Sequence, residues 1–537
     1  MPVRPPVADT TADTAADSTA RRRKVLTLED TVKAPLASPY LPAGMWSSAS
    51  RTEWNREELF AAGALTLGEL IAQVPGTTMM TTGFLMAPQV LAWHGDPAGI
   101  RLFVDGVERE EVTPRAGGIT DFALIPLWSL EQVTIETTAG ELRVHARTWR
   151  VDRTTASTRT DVLTGSENLN LFRGYFGKRS SGGVAVQFAA QQSSTASVPG
   201  MDGDGLGAMA RLGWAGGHWS IDATMLRQGL NRNPGVRFPL TAPLKDAFPA
   251  FHGSSSLSYL RAAWRDPQAD GPWAQVVAAT VGAIKTHAPG APPADSADTT
   301  ASTGQYSVSG GVNRGGLRLS GVARFRSAAG KAEAMPALRA EWGSEWLTLS
   351  ANAGRRFGGR AVWDVRGAVV ARPWLRFSAS SGVSRAGSDT LVSPRSGSAV
   401  DASVRLRGRW VTVGATTLAA GVVVAPVGLD TVMRTVGAPD GRAITLSVSG
   451  PLAGGFSFRT EAIEWDAATT FRPQTQARTR IWFESAFPEK FPRANFHLLA
   501  ALLHDYRGAL YVPRGTDGIG QTAKAFSVFG TLLEIRI

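Results

Sequence analysis

The chain has 537 residues, with 56 Lys and Arg against 45 Asp and Glu (net charge +11), and no cysteine. That length can bury sizeable cores, and the missing thiols exclude a cysteine nucleophile, a zinc ribbon, an iron–sulfur cluster and any disulfide. The longest apolar run, Leu418 to Leu429, is broken by Gly421, Pro426 and Gly428, short of the roughly 18 apolar residues of a membrane helix. The positive charge is scattered among apolar residues rather than gathered in blocks, so no nucleic-acid partner is expected.

Pro2 to Ala20 is built from Pro, Ala, Asp, Thr and Ser with little to bury, and residues 1–50 read as a disordered tail. Arg21 to Lys24 form a basic run. Val25 to Val32 (VLTLEDTV) then carries two acids and lacks the apolar core of an export leader, so no signal peptide is visible.

Residues 51–157 read as a small α+β domain. In LTLGELIAQV, Leu67, Leu70, Ile71 and Val74 share one face of a short helix, and Pro75-Gly76 stops it. Ile100 to Val104 (IRLFV) is a strand, and Asp105-Gly106 before Val107 is a hairpin signal. Ile125-Pro126 precedes Leu130 to Glu136 (LEQVTIE), expected as a helical turn running into a strand.

From residue 158 to 537 the pattern is period two. Leu317, Leu319, Gly321, Ala323 and Phe325 alternate with Arg318, Ser320, Val322, Arg324 and Arg326. Val400, Ala402, Val404 and Leu406 alternate with Asp401, Ser403, Arg405 and Arg407, and Arg409 precedes Trp410. Segments of about ten residues, separated by Gly, Pro, Asn and Asp, match the length of a tilted strand that crosses a bilayer. Trp219, Trp264, Trp273, Trp342, Trp346, Trp363, Trp374, Trp410, Trp465 and Trp482 fall near segment ends, as interfacial girdles do. An open sheet of so many strands would leave bare edges, and a repeated polar face suits a wet or filled lumen. The expected fold is therefore mainly β: a large antiparallel transmembrane β-barrel of about 20–22 strands behind a small N-terminal α+β domain.

LGELIAQVPG, IRLFVDGV and IPLWSLEQVTIE, in this order before a long alternating region, resemble the plug domain of TonB-dependent outer-membrane receptors. The residues carrying the resemblance are Pro75, Gly76, Asp105, Gly106, Ile125, Pro126, Glu131 and Glu136. It implies a globular plug inside a barrel of about 22 strands, an outer-membrane location in a Gram-negative-type bacterium, uptake of a scarce small solute, and contact with membrane lipid and a periplasmic energy-coupling protein. Leu28, Glu29, Asp30, Thr31 and Val32 resemble the box that meets that coupling protein. Glu136 to Val151 lacks the Tyr-Gly segment usual in the family, and the connections are short, so a non-transporting structural or assembly barrel stands as the alternative.

No catalytic, cofactor or metal set is expected. His94-Gly95-Asp96 reads as a turn, and Asp202 to Asp204 reads as a hairpin tip, because Gly213 stands where a calcium loop needs an acid. His252 and Ser254 to Ser256 lack a third orienting group. The lumen-side Arg318, Arg324, Arg326, Arg405, Arg407 and Arg409 are expected to hold the plug or neighbouring strands. Solute contacts are expected on Asn231 to Ser255, His287 to Gly304 and Ala386 to Ser398.

Overall fold

The computed structural model describes residue 39 and residues 53–81, 89–109, 120–138, 140–151, 154–165, 168–196, 202–232, 251–287, 299–328, 331–356, 361–384, 394–426, 433–485, 487, 497–513 and 520–536. The tail apart from residue 39, including the Arg21 to Lys24 run and Leu28 to Val32, lies outside these residues, as do parts of the three expected solute-contact segments.

The N-terminal domain begins with β1 (Glu53–Asn55) and α1 (Arg56–Ala61). Asn55 caps α1 reciprocally: its side chain accepts the Glu58 N–H at 3.0 Å, and the Glu58 carboxylate accepts the Asn55 N–H at 2.9 Å. Thr66 caps α2 (Leu67–Ile71) by accepting the Glu69 N–H at 3.1 Å. β2 (Thr77–Thr81) and β3 (Gln89–Trp93) form a hairpin of their own. The main sheet joins β1 to β4 (Ile100–Val104), β5 (Val107–Arg109), β6 (Leu130–Thr137) and β7 (Leu142–Thr148) in the order β1-β6-β7-β4-β5. Leu67, Leu70, Ile71, Leu102, Val133, Leu142 and Val144 are fully buried between the helices and this sheet.

The helical turn expected at the start of LEQVTIE is not there: Leu130 onward is strand throughout, and the turn precedes it as a 3-10 turn at Leu127–Ser129. The reason is local. Pro126 caps the turn and accepts the Ser129 N–H, whereas Leu130, Val133 and Ile135 sit on a paired strand buried on both sides.

Twenty strands, from Ser157–Gly165 to Phe526–Arg536, close into an antiparallel barrel. Some are longer than the expected ten residues; Gly271–His287 has 17. Pairing there continues into polar sequence such as Thr299–Thr303, where alternation gives no signal. Connections are mostly tight at one end of the barrel, as at 217–218, 315–316, 373–374 and 407–408, and mostly long at the other, as at 233–250 and 385–394, with 486–496 and 329–330 as exceptions at the respective ends. The first and last barrel strands both have their outer termini at the tight-turn end.

The outward face is apolar: Leu338 and Phe529 are each 70% exposed, and Phe172, Phe188, Leu212, Ile444 and Leu533 are exposed with them. A band of this extent is stable only against hydrocarbon. Trp214, Trp219, Trp346 and Trp374 ring the tight-turn end, and Trp363 faces outward near the other. Two of the tryptophans expected in girdles point inward instead: Trp273 is 3% exposed and Trp465 is 2% exposed. Both sit at strand ends, so position alone does not separate them from girdle residues. The strand parity does: Trp273 shares its face with the buried Gln275 and Val277, and Trp465 shares its face with the buried Glu461 and Ile463.

Candidate functional site: the contact between the inner domain and the barrel wall

The N-terminal domain fills the lumen, and its contact with the wall is dominated by acids facing arginines. Asp105 and Gly106 form the turn between β4 and β5 with φ +48° and +79°, the conformation that selects Asp-Gly. Asp105 is completely buried. Its carboxylate accepts the Thr148 N–H at 3.0 Å, the Tyr259 hydroxyl at 2.9 Å and an Arg211 N–H at 3.1 Å. Arg261 donates to the Asp105 backbone carbonyl. Burial alone would raise the Asp105 carboxyl, but Arg211, Arg261 and the Thr148 bonds outweigh it and hold it below the usual range.

Three glutamates repeat the arrangement. Glu108 is held by Arg101 at 2.7 Å within the domain and by Arg324 of the wall at 2.8 Å. Glu136 meets Arg339 at 2.6 Å, Arg366, and His145 at 3.0 Å. Glu141 pairs with Arg143 at 2.9 Å and Arg101 at 3.2 Å, and Arg143 in turn reaches Asp364 of the wall. Burial opposes ionisation at each glutamate, yet the surrounding guanidiniums win. Glu108 and Glu136 lie well below the ordinary carboxylate range, and Glu141 falls to about 2. Burial pushes the His145 imidazole down, against the opposing pull of Glu136.

Residues 45–147 match the family model described as the TonB-dependent receptor plug domain. Solved structures match over nearly the whole chain. The FrpB iron transporter from Neisseria meningitidis (F3-3 variant) has a TM-score of 0.66 at 11% identity, covering 90% of this chain and 91% of that one. The siderophore receptor PirA from Acinetobacter baumannii has a TM-score of 0.64 at 8% identity, covering 90% and 91%. The ferric yersiniabactin uptake receptor FyuA from Yersinia pestis has a TM-score of 0.64 at 11% identity, covering 90% and 90%. This is the plugged-barrel fold of the TonB-dependent receptors. A comparison with curated proteins gives no match to the chain.

In this receptor fold the plug motif residues divide by role. Asp105 and Glu136 bind the barrel wall. Glu131 stays within the plug, pairing Arg147 at 2.6 Å and Arg150 at 3.2 Å, and so ties β6 to the segment after β7. Pro75 and Gly76 end the α2 region. Gly76 has φ +88°, and a Cβ there would lie 2.6 Å from His94 Nε2. Ile125 is buried, and Pro126 opens the 3-10 turn.

Of the arginines expected to hold the plug or neighbouring strands, Arg324 holds the plug. Arg318 donates to Gln268 of the adjoining connection at 3.3 Å, and Arg409 donates to the Pro451 carbonyl of the neighbouring strand at 3.1 Å. Arg405, Arg407 and Arg409 are exposed at the tight-turn end, with Arg407 in the turn at φ +50°. They fall too close to the strand ends to reach the plug. The sequence reading missed Arg211, Arg261, Arg339 and Arg366. Each sits at an inward position of its strand, so parity marks the face; which inward arginine meets the plug depends on height along the strand, which parity does not carry.

His252 and Ser255 point to opposite faces of one strand. His252 contacts Asn231 at 3.0 Å, while Ser255 accepts from plug Arg109 inside. His94-Gly95-Asp96 is a turn, with the Trp93 N–H bonded to the Asp96 carbonyl at 3.0 Å. Asp204 lies near a strand end, where Asn231 donates to it at 3.0 Å.

At the long-connection end the plug is capped. Phe471, at φ +55°, is fully buried against Met80, Val90, Ala92 and Ala98 of the plug, with Val436 and Val512 from two other connections alongside. Its N–H donates to the Tyr511 carbonyl at 2.9 Å. His94 stacks on Trp93 with centroids 3.8 Å apart and meets Trp465 edge-on at 5.0 Å, and Arg472 lies 4.5 Å over the Trp465 ring. Sequence reading left His94 in a plain turn, because its aromatic partner Trp465 is distant in sequence.

Proposed function

We propose that the protein is an outer-membrane transporter of a Gram-negative-type bacterium that takes up a scarce solute when its plug moves, with no covalent chemistry of its own. The observation that carries this reading is the wall contact itself. A plug-family domain is held inside a closed barrel largely by ion pairs and hydrogen bonds, which water can replace when the domain shifts. Short turns face the periplasm in bacterial barrels and longer connections face outward, so the Phe471 cap is the solute side. We assign residues 51–157 to the plug and 158–537 to the barrel. In this reading Asp105, Gly106 and Glu136 anchor the plug, Pro75, Gly76, Ile125, Pro126 and Glu131 shape it, and Leu28 to Val32 meet a periplasmic energy-coupling protein.

The test is uptake. A strain lacking the protein should fail to take up one solute of a panel of scarce nutrients, iron among them because the similar FrpB structure is that of an iron transporter. The full chain should restore uptake and a chain lacking residues 28–32 should not. Unchanged uptake of every solute in the deletion strain would favour a structural or assembly barrel.

A further inference from the structure

A cavity of about 290 Å³ lies between α1 and the barrel strands Phe456–Trp465, Thr475–Ser485 and His497–Arg507. It runs from the tight-turn end, where Glu57, Trp482 and Glu484 line it, to mid-height at Glu461. The volume approaches the roughly 300 Å³ lower bound of small-molecule pockets. The wall on this side reaches plug backbone: Arg480 donates to the Ala61 carbonyl at 2.9 Å, and Arg507 donates to the Met79 carbonyl at 3.0 Å.

Glu461 is the buried acid of this cavity. It is only 7% exposed, and its Oε1 has no hydrogen-bond partner among the described residues. Arg478 is directly across from it in the strand pairing. Yet Arg478 turns its Nε toward Asp505 at 3.4 Å. The four acids at Asp105, Glu108, Glu136 and Glu141 each sit in an ion pair. A buried carboxylate oxygen left without a donor is costly, and native proteins rarely keep one without a use.

We propose that this cavity is a binding site on the inner side of the plug for a small solute bearing a cationic or hydrogen-bond-donating group, with Glu461 as its recognition residue. The occupant donates to Oε1 of Glu461. The lining beside Glu461 also holds Arg459, Arg478 and Arg480 and the ring of Trp482, and on the plug side Gln73, whose amide already donates to the Ala62 carbonyl at 3.1 Å. The inference rests on the transporter reading for one point, that the occupant is cargo leaving the barrel. The site itself is tested without transport.

The chain has no cysteine, so one introduced thiol reports alone. Gln73→Cys places it in the cavity lining, and guanidinium, well below denaturing concentration, is the probe. The full-length variant, shown folded by heat-modifiable migration, should react with a small thiol reagent. Guanidinium at ten times its dissociation constant should slow that reaction about tenfold, by simple occupancy. Adding Glu461→Gln should abolish the protection, read in each variant as the ratio of its labelling rates without and with guanidinium. Should Gln73→Cys lose its folded migration, Ala61→Cys is the substitute reporter. Absence of labelling in the folded protein, labelling without protection, or protection that survives Glu461→Gln would each overturn the proposal. None of these outcomes bears on uptake, whose failure is read separately in the deletion strain.

Discussion

At the scale of single residues, Asp105 has the most concentrated role. Its turn conformation and its carboxylate network are separable, because Asn tolerates the same positive φ. Asp105→Ala leaves Arg211 and the Tyr259 hydroxyl without their shared acceptor, and breaking a buried pair on one side costs about 3–5 kcal/mol. The expected outcome is faster proteolysis and faster amide exchange of the plug, with the barrel still heat-modifiable. Asp105→Asn should keep the β4–β5 hairpin and loosen the plug less. Plug exchange unchanged in Asp105→Ala would show that the network does not hold the domain.

The pH dependence follows from the same groups. Asp105, Glu108, Glu136 and Glu141 all ionise at lower pH in the folded protein than in an unfolded chain. Their contribution is therefore complete above the unfolded values of about 4 and is lost as pH falls through the lower folded values. His145 is also depressed, so it adds a smaller loss that begins as pH drops through about 6.5, where the unfolded imidazole takes up a proton. Protease resistance of the plug should decline slightly between about pH 6.5 and 5 and steeply only below about pH 4. In His145→Gln the first, shallow decline should vanish. A steep loss already at about pH 6 would contradict the assignment of the carboxylates as the main ionic ties.

At the scale of elements, legibility tracked the range of the cause. The α2 helix, the IRLFVDGV hairpin and the LEQVTIE strand rest on local signals: a Pro-Gly stop, an Asp-Gly turn, an apolar spacing. They stand where the sequence places them, except that α2 ends at Ile71 before reaching Val74 and the helical turn lies ahead of Leu130, at Leu127–Ser129, where Pro126 opens it. Barrel strands were legible as a class through alternation, and the inward faces could be named. The Asp105–Arg211–Tyr259 contact could not, since it joins residues 106 and 154 positions apart. Trp465 shows the same limit, because its environment comes from His94 and Arg472.

The Phe471 cap is an element-level device that no local pattern announces. Truncating a buried phenylalanine costs about 3–5 kcal/mol. Phe471→Ala should therefore speed amide exchange in the β2–β3 hairpin by at least a hundredfold, while exchange in β4, β6 and β7 stays as it was. Equal exchange in both variants would show that the cap does not secure the plug apex.

At the scale of the whole molecule, one idea joins the parts. An apolar outer band needs a hydrocarbon surround, and a lumen lined with Arg, Ser and Gln needs a polar filling. The plug supplies that filling with its carboxylates and backbone carbonyls, while Tyr175, Met209, Leu226 and Leu257 of the wall add apolar contact to the plug core. The net positive charge, unspecific in composition, becomes intelligible in part as inward arginines paired with plug acids.

The central claim is that this chain is a closed membrane barrel filled by its own N-terminal domain. Outer-membrane fractionation of the exported protein, followed by gel migration with and without heating, tests it most directly. The account predicts that the protein resides in the outer-membrane fraction and that the unheated band migrates differently from the heated one, because twenty paired strands resist detergent until heated. A soluble protein whose two bands coincide would contradict the account.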